Sequence, residues 1–463
     1  MPDATTDQGV LFADLFERPL HVRFDQPDSS SDGGALLLKA ADERLGLSAA
    51  LAATMRDDRD PRRVDYPLVD LVRQRVFLLA AGYEDCNDAA RLIDDPIPRL
   101  LLGRDPVDGA PIASQPTLSR FENAADGRSL VRLGHALADT VIARHRKRLR
   151  KRLRKRRVRR ITIDMDPTDD PTHGQQQLSL FNTHYGGWCF LPVHGFLQFD
   201  NESEQYLFAS VLRDGHAVAS EGACAILARV IGKLEKAFPR AVIRVRLDGG
   251  FATPEVFEFL DDAGVEEVVA IAGNSALRDH AEEAMEAVRA SSEASGESER
   301  DYAECRYAAG SWDIGRRVVI KAQVVRLGER AMRDNPRFVV TNLRQTPRFV
   351  YESVYCARGV VENRIKELLD GLAIDRTSCH RFLANQFRLL LTAAAYVLFQ
   401  ELRLSARHTS LAGAQVSTLR ERLFKLGAWV ERSTRRIVLH LPDSAAWRQE
   451  WCRIARVLGA APS

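Results

Sequence analysis

The sequence predicts an α/β protein in which helices pack on a mixed sheet. A mostly helical region precedes this core, and a β-rich insertion interrupts it. Three observations predict this organisation. Apolar residues recur at helical spacing from about 36 to 143. After 160 the pattern changes to three strands in succession, which then alternate with helices, as is typical of a mixed sheet. Residues 275–335 break this alternation with polar chain and then β-rich chain.

The N-terminal helices are predicted from apolar spacing and from capping residues. Residues 34–55 and 67–93 place apolar side chains on one helical face. Residues 113–124 offer Ser114 as an N-cap, with Pro116 near the first helical position. We expect this last helix either to read DNA or to face solvent.

A strongly basic segment follows these helices. Residues 144–160 hold thirteen Lys or Arg and no acid, although the formal net charge of the whole chain is only +3. One intense basic segment in an otherwise acidic chain predicts a polyanionic partner. The predicted phosphate contacts of this segment are Arg150, Arg152, Arg154 and Arg156.

The core is predicted from strand periodicity and turn signals between residues 160 and 405. Residues 188–200 are predicted as one strand, and residues 336–405 as a strand followed by two helices. Residues 406–463 mix helical and strand patterns.

Composition excludes several classes of protein. No apolar run reaches the 18 residues that a membrane helix needs, and the polar N-terminus is no signal peptide. Seven scattered cysteines without a C-x-x-C pair argue for reduced thiols, and against a zinc site or a disulfide framework. We therefore expect a cytoplasmic protein with no membrane partner.

Acidic residues stand at the ends of two predicted strands. Asp164 and Asp166 share one face of the strand 160–166, although Asp is disfavoured in strands. Asp248 ends the next such strand and is followed by Gly249 and Gly250, which allow close approach of backbone or substrate. Ligands of α/β sheets gather beyond such strand ends. Each position taken alone is explained as well by a turn.

The third acidic position lies on a helix. Arg358, Glu362 and Lys366 fall at successive i+4 steps and form one polar stripe, with Tyr355 three residues before it. Alone, this stripe is explained by a solvated ladder of ion pairs. Together with the two strand ends, it predicts three carboxylates that converge on divalent cations, for which oxygen ligands suit magnesium or manganese.

Three motifs in this order resemble the DDE transposases of bacterial insertion sequences, and most closely the group numbered 1380. They are DMDPTDDPTHGQQQLSLFN, RLDGGFATPEV and YCARGVVENRIKELL, and the resemblance spans about residues 10–440. The last motif is similar to the family signature Y-x2-R-x3-E-x6-K. The resemblance as a whole implies an RNase H-like core in which Asp166, Asp248 and Glu362 are catalytic and bind two Mg²⁺ ions, with Mn²⁺ as a substitute.

The resemblance also implies roles for further residues. Asp166 is preferred to Asp164 as the first acid because Asp166-Pro167-Thr168 matches the family's D-x-T, and Asp164 is retained as a further metal ligand. Tyr355 and Arg358 would contact DNA near the cleaved end. The signature's lysine falls on Leu369, so Lys366 is the candidate for its place. Trp312 is a candidate to stack on a flipped base, with packing in the core as the alternative.

These inferences predict a DNA transposase that cuts at terminal inverted repeats and joins the 3′-hydroxyl ends to target DNA. The partners would be double-stranded DNA and a second copy of the chain in the synaptic complex. The alternatives are a structure-specific DNA nuclease on the same core and a transposase-derived DNA-binding regulator. The predicted parts are a helical DNA-binding region at 1–143, a basic helical linker at 144–160, a catalytic core at 161–274 and 336–405, a β-rich insertion at 275–335, and a mixed α/β tail at 406–463.

Overall fold

The computed structural model describes residues 10–13, 15, 17–153, 157–326 and 332–461. Its N-terminal part contains three short strands and seven helices. The strands are β1 (Val10–Phe12), β2 (Leu20–Val22) and β3 (Ser29–Ser30). The helices are α1 (Leu36–Leu45), α2 (Leu47–Ala52), α3 (Leu68–Ala81), α4 (Asp88–Arg91), α5 (Pro96–Leu101), α6 (Gln115–Asn123) and α7 (Gly127–Leu153).

Local sequence explains where these helices begin and end. The first predicted helix is two helices, because Gly46 adopts a left-handed conformation with φ of 68° between α1 and α2. Ser114 precedes α6 as predicted, but its side chain makes no capping hydrogen bond to the backbone. Helix α7 passes through residue 143 without a break, so the basic segment begins as the C-terminal half of this helix.

The core begins with a group of strands. They are β4 (Arg160–Pro167), β5 (Asp170–Pro171), β6 (Leu180–Asn182), β7 (Gly187–Phe190), β8 (Val193–Phe199) and β9 (Tyr206–Val211). The prediction of one strand over 188–200 is wrong. β7 ends before Pro192, which cannot donate to a strand ladder, and β8 begins after it in a different sheet.

Helices and strands then alternate. These elements are α8 (Ala223–Ala237), β10 (Val242–Leu247), α9 (Pro254–Asp262), β11 (Glu266–Ile271), α10 (Ser275–Ser295), β12 (Glu299–Tyr307), β13 (Arg316–Val325), β14 (Arg333–Asp334) and β15 (Arg337–Thr341). The polar start of the predicted β-rich insertion is therefore a helix of 21 residues. The Asn274 side chain caps α10, and buried Leu277, Ala281 and Met285 follow at helical spacing.

The C-terminal part is mostly helical. Its elements are α11 (Gly359–Leu372), α12 (Phe382–Ser405), α13 (Val416–Leu419), β16 (Ala428–Arg432), β17 (Ile437–His440) and α14 (Arg448–Leu458). A π-helical stretch, Phe349–Tyr355, leads into α11. Among the described residues, α12 alone is long and apolar enough to cross a membrane, but 83% of its most apolar window is buried within the chain. It is the central helix of the core.

A nine-stranded mixed sheet organises the core. Its order is β12-β13-β15-β11-β10-β4-β8-β9, with β14 paired to β13. β10 runs parallel to both β4 and β11, and the other neighbouring strands are antiparallel. The strands of the predicted insertion therefore extend the core sheet. Because β4 and β10 are parallel neighbours, their carboxyl ends meet at the same edge.

Candidate active site

The ends of β4 and β10 bring two aspartates together. Asp164 is paired with Arg246 in the register of the two strands, so Asp166 and Asp248, each two residues further on, emerge side by side. The Gly250 N–H donates to the Asp248 carboxylate at 2.9 Å and fixes the turn after β10. A Cβ on Gly250 would lie 2.7 Å from the Ala219 Cβ, so this turn requires glycine.

One guanidinium lies between these aspartates and the glutamate of α11. The Arg358 Nη2 donates to Asp166 Oδ1 at 2.6 Å and to Asp248 Oδ2 at 3.1 Å. The Arg358 Nη1 lies 3.9 Å from Glu362 Oε1. The three carboxylates therefore surround one positive charge. The Glu362 side chain is 69% exposed, whereas those of Arg358 and Asp166 are 9% and 13% exposed, so the glutamate is much the more accessible of the three.

Burial and neighbouring charge set the protonation of this site. Burial raises the pKa of Asp166 to about 7; Arg358 opposes this shift, and the nearby Asp248 adds to it. Burial would lower the pKa of Arg358, but the carboxylates of Asp166 and Asp248 raise it above its ordinary value. The site thus contains more negative charge than one arginine can neutralise, and it favours additional cations.

The match to known protein families decides which class of enzyme carries this site. Residues 12–462 match the family described as transposase DDE domain group 1. This chain belongs to that transposase family. No curated protein matches the chain. The mixed sheet is consistent with the RNase H-like domain of DDE transposases, enzymes that act on DNA and generally use divalent metal ions. The family match extends beyond the core to most of the chain.

Asp164, the alternative to Asp166 as the transposase's first acid, has different partners. It is fully buried, and both its oxygens accept hydrogen bonds from Arg246, at 2.6 and 2.8 Å. Gln205 donates a further bond at 2.8 Å. The Arg246 Nη1 also donates to the Val354 carbonyl, one turn before Arg358. This network joins both strands to the segment that carries Arg358.

The sequence reasoning missed two buried residues beside the acids. In the sequence, Arg246 is one of two arginines that alternate with apolar residues in β10. Its position two residues before Asp248, on the same face of the strand, is the one feature that points to the site. His194 lies opposite Asp166 in the antiparallel pair of β4 and β8. Burial and the nearby Arg213 lower the pKa of His194 to about 4, so it is neutral at pH 7. Its Nδ1 lies 2.9 Å from the Ser210 hydroxyl.

The remaining residues of the helical motif lie around this centre. Tyr355 is partly buried, and its ring packs 5.4 Å from that of Tyr351. Lys366 is exposed and forms no ion pair with a carboxylate of the described chain. Leu369, at the signature's lysine position, is partly buried against the core. A cation at 369 would therefore replace an apolar packing contact.

Trp312 lies in the connection between β12 and β13, far in sequence from Asp166, Asp248 and Glu362. Its ring packs edge-on against Phe257 at 5.0 Å and against Tyr307 at 5.5 Å. The Arg316 guanidinium lies 6.0 Å from the ring centroid. These contacts give Trp312 a packing role in this conformation.

The basic segment is divided between internal and exposed residues. Arg152 pairs with Glu202, whereas Arg150 is exposed and has no ion-pair partner among the described residues. Arg154 and Arg156 lie outside the described residues.

The three acids are not yet arranged around a single ion. Among the residues that the structure describes, no three His, Cys, Asp or Glu side chains are close enough to hold one metal. Asp166 and Asp248 meet through Arg358, and Glu362 reaches towards the same guanidinium. For all three acids to hold one ion, the arginine would have to withdraw and the exposed glutamate would have to move inwards.

Proposed function

We propose that this family member is a cut-and-paste transposase of the group numbered 1380, which cuts DNA at terminal inverted repeats and joins the freed 3′-hydroxyl ends to target DNA. The observation that carries the proposal is the convergence of Asp166, Asp248 and Glu362 on one guanidinium. Carboxylates from two strand ends and a neighbouring helix provide the hard oxygen ligands that Mg²⁺ prefers.

Asp166, Asp248 and Glu362 would hold two Mg²⁺ ions, for which Mn²⁺ could substitute. Ions bound there would supply activation of the attacking oxygen and stabilisation of the leaving oxygen in phosphodiester displacement. The donor set fits because its three carboxylates exceed the charge of Arg358 and offer hard oxygen ligands. In this proposal Asp164 is a positioning residue, since Arg246 and Gln205 occupy its oxygens.

The chain's own residues prepare the site for DNA. The Asp164–Arg246 pair holds the two strand ends level, and Gly250 lets the turn after Asp248 pack closely against Ala219. Arg358 would offset part of the negative charge until cations bind, and it would then be available to a DNA phosphate. Tyr355, Lys366 and Trp312 remain proposed DNA contacts near the cleaved end.

The proposed partners are the element's two ends, target DNA and a second copy of the chain, in the cytoplasm of a bacterium and on its nucleoid. We keep the division into five parts as a proposal, with DNA binding in the N-terminal region and the basic segment. The continuity of α7 through residue 143 couples those two parts mechanically.

The test is a cleavage and joining assay with purified protein, a labelled element end and magnesium, followed by sequencing of the products. We expect breaks at the end of the inverted repeat, joining to a plasmid target, and loss of both with a chelator. Cleavage without joining would favour the structure-specific nuclease. Binding without cleavage would favour the DNA-binding regulator.

A further inference from the structure

The basic helix α7 has an inward face whose charges are used within the protein. Arg144, Arg148 and Arg152 follow one another at i+4 spacing. Arg144 donates two hydrogen bonds to Glu401, at 2.6 and 2.7 Å. Arg148 donates two to Glu202, at 3.0 and 2.7 Å. Arg144 and Arg148 connect α7 to α12 and to the turn between β8 and β9, and their side chains are largely buried. Arg152 also pairs with Glu202, but its side chain is 40% exposed.

The outward face of the same helix is different. With α8 it lines an open groove of about 990 Å³. The six cations of this groove are Arg146, Lys147, Arg150, Lys151, Lys233 and Lys236. Asp139 is the one acid of its lining, and it pairs with Lys233. The other five cations form no ion pair with a described carboxylate, so the groove has a strong net positive charge.

We propose that this groove, the α7–α8 groove, binds the phosphate backbone of duplex DNA without regard to sequence. It contains none of the three acids and is therefore a second DNA contact, separate from the active site. The inference rests on the proposed function only for the identity of the polyanion. It assigns Lys233 and Lys236 of α8 to DNA binding, and it does not include Arg152, which lies outside the groove.

The shape and chemistry of the groove favour a nucleic-acid backbone. Its α7 cations extend over about 7.5 Å of the α7 axis, at 1.5 Å per residue. This length corresponds to roughly two phosphate spacings of one strand, measured along the DNA axis. The second wall, formed by α8, provides cations for neighbouring phosphates. The apolar part of the lining is Ile142, Ala143 and Ala237; because Ile142 is buried in the core, the groove exposes no large apolar anchor for a lipid surface.

The test compares two triple variants of the full-length protein with equal loss of charge. The groove variant carries Lys147→Gln, Arg150→Gln and Lys236→Gln. The matched control carries Arg278→Gln, Arg333→Gln and Arg435→Gln, three exposed cations outside the groove. The affinity for a random-sequence duplex is measured at several salt concentrations, and the thermal melting of both variants is recorded as a check on folding.

We expect the groove variant to bind the duplex more weakly, with a log–log salt slope reduced by about 0.9 for each lost phosphate contact, while the control keeps the wild-type slope. An unchanged slope in the groove variant, or an equal fall in the control, would overturn the proposal. A loss of binding confined to single-stranded RNA or to anionic vesicles would overturn it as well. Wild-type cleavage of element ends is scored separately: its failure would refute the transposase function and leave the groove result standing.

Discussion

At the scale of single residues, Arg358 is the centre of the candidate active site, because its guanidinium contacts Asp166 and Asp248 and approaches Glu362. Removal of one member of a buried charge group leaves the others uncompensated, which commonly costs about 3–5 kcal/mol. We therefore expect Arg358→Ala to lower the melting temperature in a chelating buffer. Mg²⁺ should restore part of this loss, because cations then take the place of the guanidinium.

The measurement is the melting temperature of wild type and Arg358→Ala across a magnesium titration. The variant should show the larger magnesium-induced rise, since no internal cation competes for the carboxylates. Equal rises in the two proteins would show that the arginine and the metal do not share these ligands. Arg348→Ala, an exposed arginine ten residues earlier, is the control.

Substitutions at Asp164, Asp166 and Asp248 should distinguish the proposed catalytic acids from the proposed positioning residue. Asp248→Asn and Asp166→Asn should abolish cleavage while end binding survives, because an amide keeps the shape but loses the charge of a ligand. Asp164→Asn should retain some cleavage at lower stability, because it breaks the pair with Arg246. The readouts are cleavage rate, end binding and melting temperature, with exposed Asp262→Asn as control. Full activity of Asp248→Asn would remove it from the acid set.

At the scale of secondary-structure elements, the exposed face of α11 provides the next prediction. Lys366 is exposed one turn after Glu362, whereas Leu369 packs against the core. We expect Lys366→Ala to lower end cleavage about tenfold, which corresponds to about 1.4 kcal/mol in the transition state, with little change in melting temperature. Leu369→Lys should instead destabilise the fold. Normal cleavage by Lys366→Ala would leave the family's lysine without a counterpart.

A buried carboxyl couples β5 to the connection between α11 and α12. Asp170 is fully buried, and the Thr377 hydroxyl, 3.0 Å from each of its carboxylate oxygens, donates one bifurcated hydrogen bond to it. Burial raises the pKa of Asp170 to about 8, from 3.8 for an exposed aspartate; Thr377 opposes this shift, and Asp375 adds to it. The folded protein therefore keeps a proton there that the unfolded chain releases, and this contribution to stability falls as pH rises from about 4 to 8.

Asp170→Asn should remove this pH dependence, because the amide is neutral at every pH. Relative to wild type, the variant should gain melting temperature between pH 6 and 9, and differ least below pH 5. Melting curves across this range test the expectation. Parallel curves for wild type and variant would show that Asp170 does not titrate in this window.

The elements of the active site were largely predictable from sequence, and their partners were not. Two strands that end in Asp166 and Asp248 were recognisable from alternation and turn residues, and α11 from its i+4 stripe. In the basic helix, Arg148 pairs with Glu202 and Arg144 with Glu401, which lie 54 and 257 residues away in the sequence. No local pattern shows which arginines turn inwards, because helical spacing defines faces without saying what packs against them. The pairing of Asp164 with Arg246 was hidden for the same reason.

At the scale of the whole molecule, one chain provides one set of three acids, whereas an element has two ends to cut. We expect the active complex to contain two chains and two ends. Two labelled end duplexes of different length, mixed with protein, should give a native complex that contains both lengths, with a mass corresponding to a protein dimer. Complete cleavage within a complex of one chain and one end would contradict this arrangement.

The ion pairs of Arg358 also bear on whether the protein folds before or after it binds ions. Acidic side chains crowded at a sheet edge repel one another, and a chain without an internal counter-charge would depend on bound ions for part of its stability. Here the counter-charge is part of the polypeptide, so folding can finish first. Under the proposed function, activation would then be an exchange of charges in an already folded protein, triggered by the ions and DNA that it meets after synthesis.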